Sequence, residues 1–129
     1  MAVNTAYTTN NATQAPDAPQ RAAGRITFPA TAITAADYVV VNLGFTPRYV
    51  CWTNNTSRIE IEWFDGMAVN TCIKAAAGGT RTLETTNGGI TVCDADGTAN
   101  TAGKAFKVLQ NATLAAILAS EVCNWRAEG

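Results

Sequence analysis

The sequence contains no histidine and few charged residues, and both shortages restrict what the protein can do. Histidine is the commonest general base and the commonest metal ligand, so most acid–base enzymes and metal sites are disfavoured. Charged residues make up 15% of the 129 residues and the net charge is −1, against about 25% charged residues in an ordinary soluble domain. We therefore expect no nucleic-acid partner, no catalytic residues, no metal and no cofactor.

Long apolar runs are missing as well. The longest, residues 114–119, is far shorter than the roughly 18 to 20 residues that a membrane span requires. The first residues lack the basic start and apolar centre of a signal peptide. We expect a protein without a membrane partner that is made in the cytoplasm of its cell.

Composition divides the chain into two parts. Residues 1–24 are rich in Thr, Asn, Ala and Gln and have almost no large apolar side chains. This composition predicts an extended N-terminal arm that is disordered alone or ordered only against a neighbouring subunit. Residues 25–129 are short β-prone runs separated by Gly, Asn, Pro and Asp. They predict a single all-β domain, a small antiparallel β-sandwich or jelly-roll-like barrel of about seven to eight strands.

Three segments of the β domain give the sharpest local predictions. Residues 48–64 read as a hairpin around the polar loop 54–57, because apolar and charged residues alternate strictly in its second arm. The valine-rich run 38–43 suggests a strand covered on both faces. Residues 111–119, rich in Ala and Leu after a possible Asn111 cap, fit one short helix.

Two acidic motifs resemble functional sites but also have simpler explanations. Glu60 and Glu62 point the same way from one strand, about 6 to 7 Å apart, a separation that paired-carboxylate glycosidases use. The neighbouring Arg58 favours an ordinary charged strand face instead. Asp94 and Asp96 before Gly97 resemble the start of a calcium loop. However, Gly103 occupies the position where such a loop needs its glutamate, so an Asp-rich turn is favoured.

The three tryptophans allow two uses. Trp52, Trp63 and Trp125 could stack on sugar rings. Each lies inside a predicted strand beside aliphatic residues, so core packing is the favoured use.

Four cysteines are the remaining chemically distinctive residues. They are Cys51, Cys72, Cys93 and Cys123, and none forms a C-x-x-C pair. This spacing does not favour a zinc site. They are either buried thiols or disulfide candidates whose bonds form once the protein leaves a reducing cell. A catalytic thiol is not expected, because no activating histidine is present.

About two thirds of the chain resembles small structural proteins of tailed bacteriophages. The resemblance lies in the segments YVVVNLGFTPRYV (38–50), RIE (58–60), EWFDGM (62–67), GTRTL (79–83) and GITV (89–92). The cysteines are not part of this pattern. The resemblance implies a virion component, above all a head decoration (cement) protein on the capsid surface.

The resemblance also implies partners and leaves alternatives. A decoration protein would bind the outside of the capsid lattice, contact the major capsid protein and stabilise the shell. The four cysteines of this chain, apart from the resemblance, suggest that disulfides formed after release from the host reinforce this binding. A homotrimer is the first expectation and a dimer the second. The alternatives are a collar, tail or fibre-associated module that binds a receptor or glycan, and a small hydrolase that uses Glu60 and Glu62.

Overall fold

Nine β-strands and no helix form within residues 20–129, the part of the chain that the computed structural model describes. The strands are β1 (Arg21–Thr27), β2 (Tyr38–Asn42), β3 (Tyr49–Asn54), β4 (Ile59–Phe64), β5 (Cys72–Ala75), β6 (Arg81–Glu84), β7 (Ile90–Cys93), β8 (Ala105–Leu109) and β9 (Val122–Glu128). They build a six-stranded sheet of order β1-β9-β3-β4-β5-β6 and a three-stranded sheet of order β2-β8-β7. All paired strands are antiparallel.

The predicted β-sandwich is therefore confirmed. Nine strands form rather than seven or eight, and the two sheets of the described chain stay open instead of closing into a barrel. No helix that could span a membrane occurs among the described residues.

Aromatic side chains fill the space between the two sheets. Trp52 of the large sheet meets Phe106 of the small sheet edge-on at 6.4 Å, and Phe106 in turn meets Trp125 at 5.7 Å. Trp52 and Phe106 are fully buried, and Trp63 is 5% exposed. Removal of this apolar surface from water is the main force that holds the two sheets together.

The predicted hairpin is confirmed as β3 and β4. Tyr49 pairs with Phe64 and Asn54 with Ile59, so the register runs through the whole length of both strands. The fully buried Asn54 holds the turn, because its Oδ1 accepts hydrogen bonds from the backbone N–H groups of Thr56 and Ser57 at 3.1 and 3.0 Å. Alternation in β4 places Ile61 in the core and the two glutamates on the outer side.

The helix predicted over residues 111–119 is wrong. Asn111 does cap one turn, since its Oδ1 accepts the N–H groups of Thr113 and Leu114. The turn then stops at Ala115, whose φ of 55° belongs to the left-handed region. The next carbonyl, that of Ala116, accepts the Trp52 indole N–H at 3.0 Å. Burial and this tertiary hydrogen bond therefore override the helix propensity of the segment.

Two further sequence predictions change in the structure. Strand β1 begins at Arg21, so residues 21–24, predicted as part of the arm, belong to the large sheet. Residues 1–19 of the predicted arm lie outside the described residues. Strand β2 lies at an edge and is covered only in part, because its outward-facing Tyr38 is 48% exposed.

Candidate functional site

The outer face of the small sheet is covered by the chain itself around Cys93 and Ala105. Cys93 and Ala105 pair side by side and point away from the core, yet they are 0% and 1% exposed. The loop of residues 94–103 covers them. It begins with a bridge between Cys93 and Ala99, and Gly97 packs against the ring of Tyr38 on the opposite edge strand. This covered part of the face offers little surface to a partner.

The outer face of the large sheet has no such cover among the described residues. Its central residues come from three neighbouring strands, β9, β3 and β4, and we call them the open face. They are Asn124 and Arg126 of β9, Tyr49, Cys51 and Thr53 of β3, and Glu60 and Glu62 of β4. They line a shallow groove of about 390 Å³. The open face is thus a polar surface with charges of both signs, carried on rigid strands.

Glu62 and Tyr49 form the centre of a hydrogen-bonded network on the open face. The Tyr49 hydroxyl donates to Glu62 Oε2 at 2.8 Å, and Arg81 of β6 donates to Glu62 Oε1 at 3.1 Å. The guanidinium of Arg126 lies 5.8 Å from the centre of the Tyr49 ring. Burial, and then the bond to Glu62, raise the pKa of Tyr49 well above its ordinary value of 10.0. The network therefore fixes these side chains in one arrangement.

Cys51 is the half-buried thiol of the open face. Its Sγ lies 4.0 Å from the Thr53 hydroxyl. Burial, followed by the negative charge of Glu60, raises the pKa of the Cys51 thiol above its ordinary value. A raised pKa keeps the sulfur protonated at neutral pH and opposes its use as a nucleophile.

All four cysteines are free thiols in the described chain, and three of them are inaccessible. Cys72, Cys93 and Cys123 are 0% exposed, and burial raises the pKa of Cys72 and of Cys123 to about 12. The interpretation as buried thiols therefore fits these three. Because Cys51 alone of the four is partly exposed, any disulfide between subunits would have to use it.

The two acidic motifs follow their simpler explanations. Glu60 and Glu62 do lie on one face, but Tyr49 and Arg81 occupy both oxygens of Glu62. Asp96 closes a turn, where its Oδ1 accepts the N–H of Thr98 at 2.9 Å, and this bond lowers the Asp96 pKa. No group of three potential metal ligands comes together within residues 20–129.

The tryptophans are used for packing. Trp52 and Trp63 are buried in the core, so neither can stack on a sugar ring. Trp125 is partly buried and its indole lies over Gly24 of β1, where even a Cβ would approach the ring to 2.7 Å. Any glycan-binding role would therefore depend on other residues.

The sequence predicts Cys51, Glu60 and Glu62 as candidates but misses Tyr49, Asn124 and Arg126. Tyr49 and Thr53 lie two residues before and after Cys51 in β3, so their side chains point to the same face as Cys51. Alternation along the predicted hairpin would therefore have identified Tyr49. Asn124 and Arg126 join the site through the pairing of β3 with β9, about seventy residues apart in the chain. Only the tertiary structure brings them there.

Comparison of the chain with protein-family models, with curated proteins and with solved structures finds no match. Function is therefore inferred from the residues of the chain itself.

Proposed function

We propose that this protein is a structural subunit of a tailed-phage virion, of the head decoration type, that binds the outside of the capsid lattice through the open face. The observation that carries the proposal is the contrast between the two outer faces. The loop of residues 94–103 covers Cys93 and Ala105 on the small sheet, whereas no segment within residues 20–129 covers the centre of the large sheet, where a polar network is fixed.

The chemistry of the open face suits a protein partner better than a reacting substrate. Arg126 and Glu60 give it both signs of charge within a few strands, and electrostatic complementarity of this kind sets the register of a protein interface. Glu62 is held by two partners and Cys51 is kept protonated. These side chains are arranged for binding, and we assign the protein no enzymatic role.

The proposed partners are the major capsid protein and further copies of this chain. The sequence resemblance implies a homotrimer. Assembly would take place in the host cytoplasm, and the protein would end on the capsid surface of the virion. Cys51, being partly exposed, is the thiol that could join subunits once the particle leaves the reducing cell.

Copy number in purified particles tests the location. Particles of the phage that encodes the chain are quantified by mass spectrometry, after electrophoresis with and without reductant. Hundreds of copies per particle support a capsid decoration protein. A few copies point to the alternative, a collar, tail or fibre-associated module that binds a receptor or glycan. Absence from the particle overturns the virion proposal.

A matched pair of variants tests the face. Arg126→Glu reverses a charge at the centre of the open face, whereas Asp96→Asn changes an exposed charge on the loop that covers the other sheet. Purified protein is added to capsids that lack it, and occupancy is measured. We expect Arg126→Glu to weaken binding more than tenfold and Asp96→Asn to bind normally. Equal binding of both variants would exclude the open face as the capsid contact.

A further inference from the structure

The free edges of the two sheets are protected unequally. Charged residues on an edge strand hinder pairing with another chain. In the large sheet, edge strand β1 carries Arg21 and Arg25, and edge strand β6 carries Arg81 and Glu84. In the small sheet, β7 is bridged to Thr71 and Ala99. Strand β2 at the opposite edge has the sequence YVVVN, without a charge or a proline.

The backbone of β2 presents alternate groups outward. The Leu43 N–H donates to the Lys104 carbonyl, and the Gln110 N–H donates to the Asp37 carbonyl. In an antiparallel ladder these bonds recur at every second residue, so the odd-numbered residues bond to β8. The N–H and C=O groups of Tyr38, Val40 and Asn42 therefore point to the free edge. None of them bonds to the backbone of another described residue.

From this arrangement we infer that two copies of the chain associate through β2, edge to edge and antiparallel, about a two-fold axis at Val40. The outward groups are symmetric about that residue. Tyr38 faces Asn42 of the partner subunit, and Val40 faces Val40 of the partner subunit. Each of the three pairs exchanges two hydrogen bonds, about six in all. The two small sheets then form one continuous sheet.

Side chains along β2 are compatible with a second copy. No charge on the strand would face a like charge, whereas self-pairing of β1 would bring arginines close together. An apolar groove of about 470 Å³, lined in part by Phe28, Ile33 and Ile117, adjoins the strand at Val39. Val39 and Val41 point toward the core side of the sheet. In the pair they lie beside the same valines of the partner subunit and extend the core across the axis.

This inference stands apart from the proposed function, because it requires no capsid. A two-fold contact joins copies in pairs, so it gives a dimer alone or a hexamer if the expected trimer also forms.

Mass in solution is the first test. The purified chain is examined by light scattering and native mass spectrometry in the absence of capsids. A mass of two or six copies is expected, and a mass of one or three copies overturns the inference. Val40→Lys places two like charges across the axis and should halve the mass. Leu83→Lys, at an exposed position on the charged edge strand β6, should leave the mass unchanged.

A cross-link gives a second test that does not depend on the lysine variant being well folded. Val40→Cys is made in a Cys51→Ser background, so that the half-exposed native thiol cannot react. Hydrogen-bonded antiparallel pairs have Cα atoms about 5.5 Å apart, within the range of a disulfide. Mild oxidation should give a dimer on a non-reducing gel, and Leu83→Cys in the same background should remain monomeric on that gel. Absence of the Val40→Cys dimer, or equal cross-linking of both variants, contradicts the pairing.

Discussion

The outer faces of the two sheets each carry a cysteine on a β-strand, and the two thiols differ in exposure. Cys93 of the small sheet is fully buried beneath residues 94–103, whereas Cys51 of the large sheet is half-buried among polar side chains. Both thiols point away from the aromatic core. The different exposure of the two thiols therefore comes from this loop, since no segment among residues 20–129 covers Cys51 in the same way.

Stability and recognition therefore depend on different faces of this fold. The covered face contributes buried surface and close backbone contacts, which stabilise the folded state. The open face contributes hydrogen bonds between exposed or half-exposed groups, which add little to stability but fix the surface in one shape. Substitutions in the two faces should therefore have effects of very different size.

Gly103→Ala should have the largest effect, because it breaks the covered face. A Cβ at residue 103 would overlap the carbonyl oxygen of Cys93, a backbone atom that cannot move aside cheaply. We expect a loss of about 2 to 3 kcal/mol in the free energy of unfolding, and a fall of roughly 10 °C in Tm. Thermal and denaturant unfolding followed by circular dichroism measure both quantities.

Gly78→Ala is the matched control for this substitution. A Cβ at residue 78 meets nothing within 4 Å, so the variant should be as stable as the parent or slightly more stable. If Gly103→Ala were as stable as Gly78→Ala, the loop would not be packed on the small sheet as described.

The sandwich was predictable because most of its signals are local. Alternation in residues 59–64 and the polar loop before them identify the β3–β4 hairpin from sequence alone. The segment of residues 111–119 shows the limit of such signals. Its alanines and leucines favour a helix. However, the Trp52 indole N–H donates a hydrogen bond to the Ala116 carbonyl, and Ala115 adopts a left-handed conformation. This tertiary contact prevents the helix, and no local sequence pattern predicts the contact.

The two outer thiols should differ in reactivity by at least tenfold. Iodoacetamide reacts with exposed thiolate, so Cys51 should be alkylated first and Cys93 only when the loop opens. Peptide mass spectrometry over a time course measures both rates. Gly103→Ala should speed the alkylation of Cys93 and leave that of Cys51 unchanged. Similar rates for the two thiols in the parent protein would refute the assignment of one covered and one open face.

Charge provides a finer test at Cys51. Burial first, and then the charge of Glu60, raise the pKa of this thiol above its ordinary value of 9.0. Glu60→Gln should therefore lower the pKa, increase the thiolate fraction at pH 8 and speed alkylation a few fold. Glu84→Gln, on the distant edge strand β6, should have no such effect. An unchanged rate in Glu60→Gln would mean that Glu60 does not act on the sulfur.

The open face itself was only half predictable. Side chains alternate along a strand, so residues of one hairpin can be placed on a common side and the sequence identifies Glu60 and Glu62. Arg126 reaches the same side only because β9 pairs with β3. Nor does any motif mark residues 94–103 as a cover, since their acidic residues resemble a calcium loop instead.

Removal of the Glu62 carboxylate should have the smallest effect on stability and a clear effect on Tyr49. The Arg81 side chain of the ion pair is 57% exposed, so Glu62→Gln should cost less than about 1 kcal/mol at neutral pH. In the parent, folded Tyr49 keeps its proton when the unfolded chain loses it near pH 10.0. Stability therefore falls as pH rises above that value.

Glu62→Gln should lower the Tyr49 pKa and make this fall in stability shallower, as followed by tyrosinate absorbance and alkaline unfolding. Since Glu84→Gln leaves the Tyr49 hydroxyl bond intact, a pKa that shifts equally in both variants would show that net charge, and not the hydrogen bond of the open face, holds the proton on Tyr49.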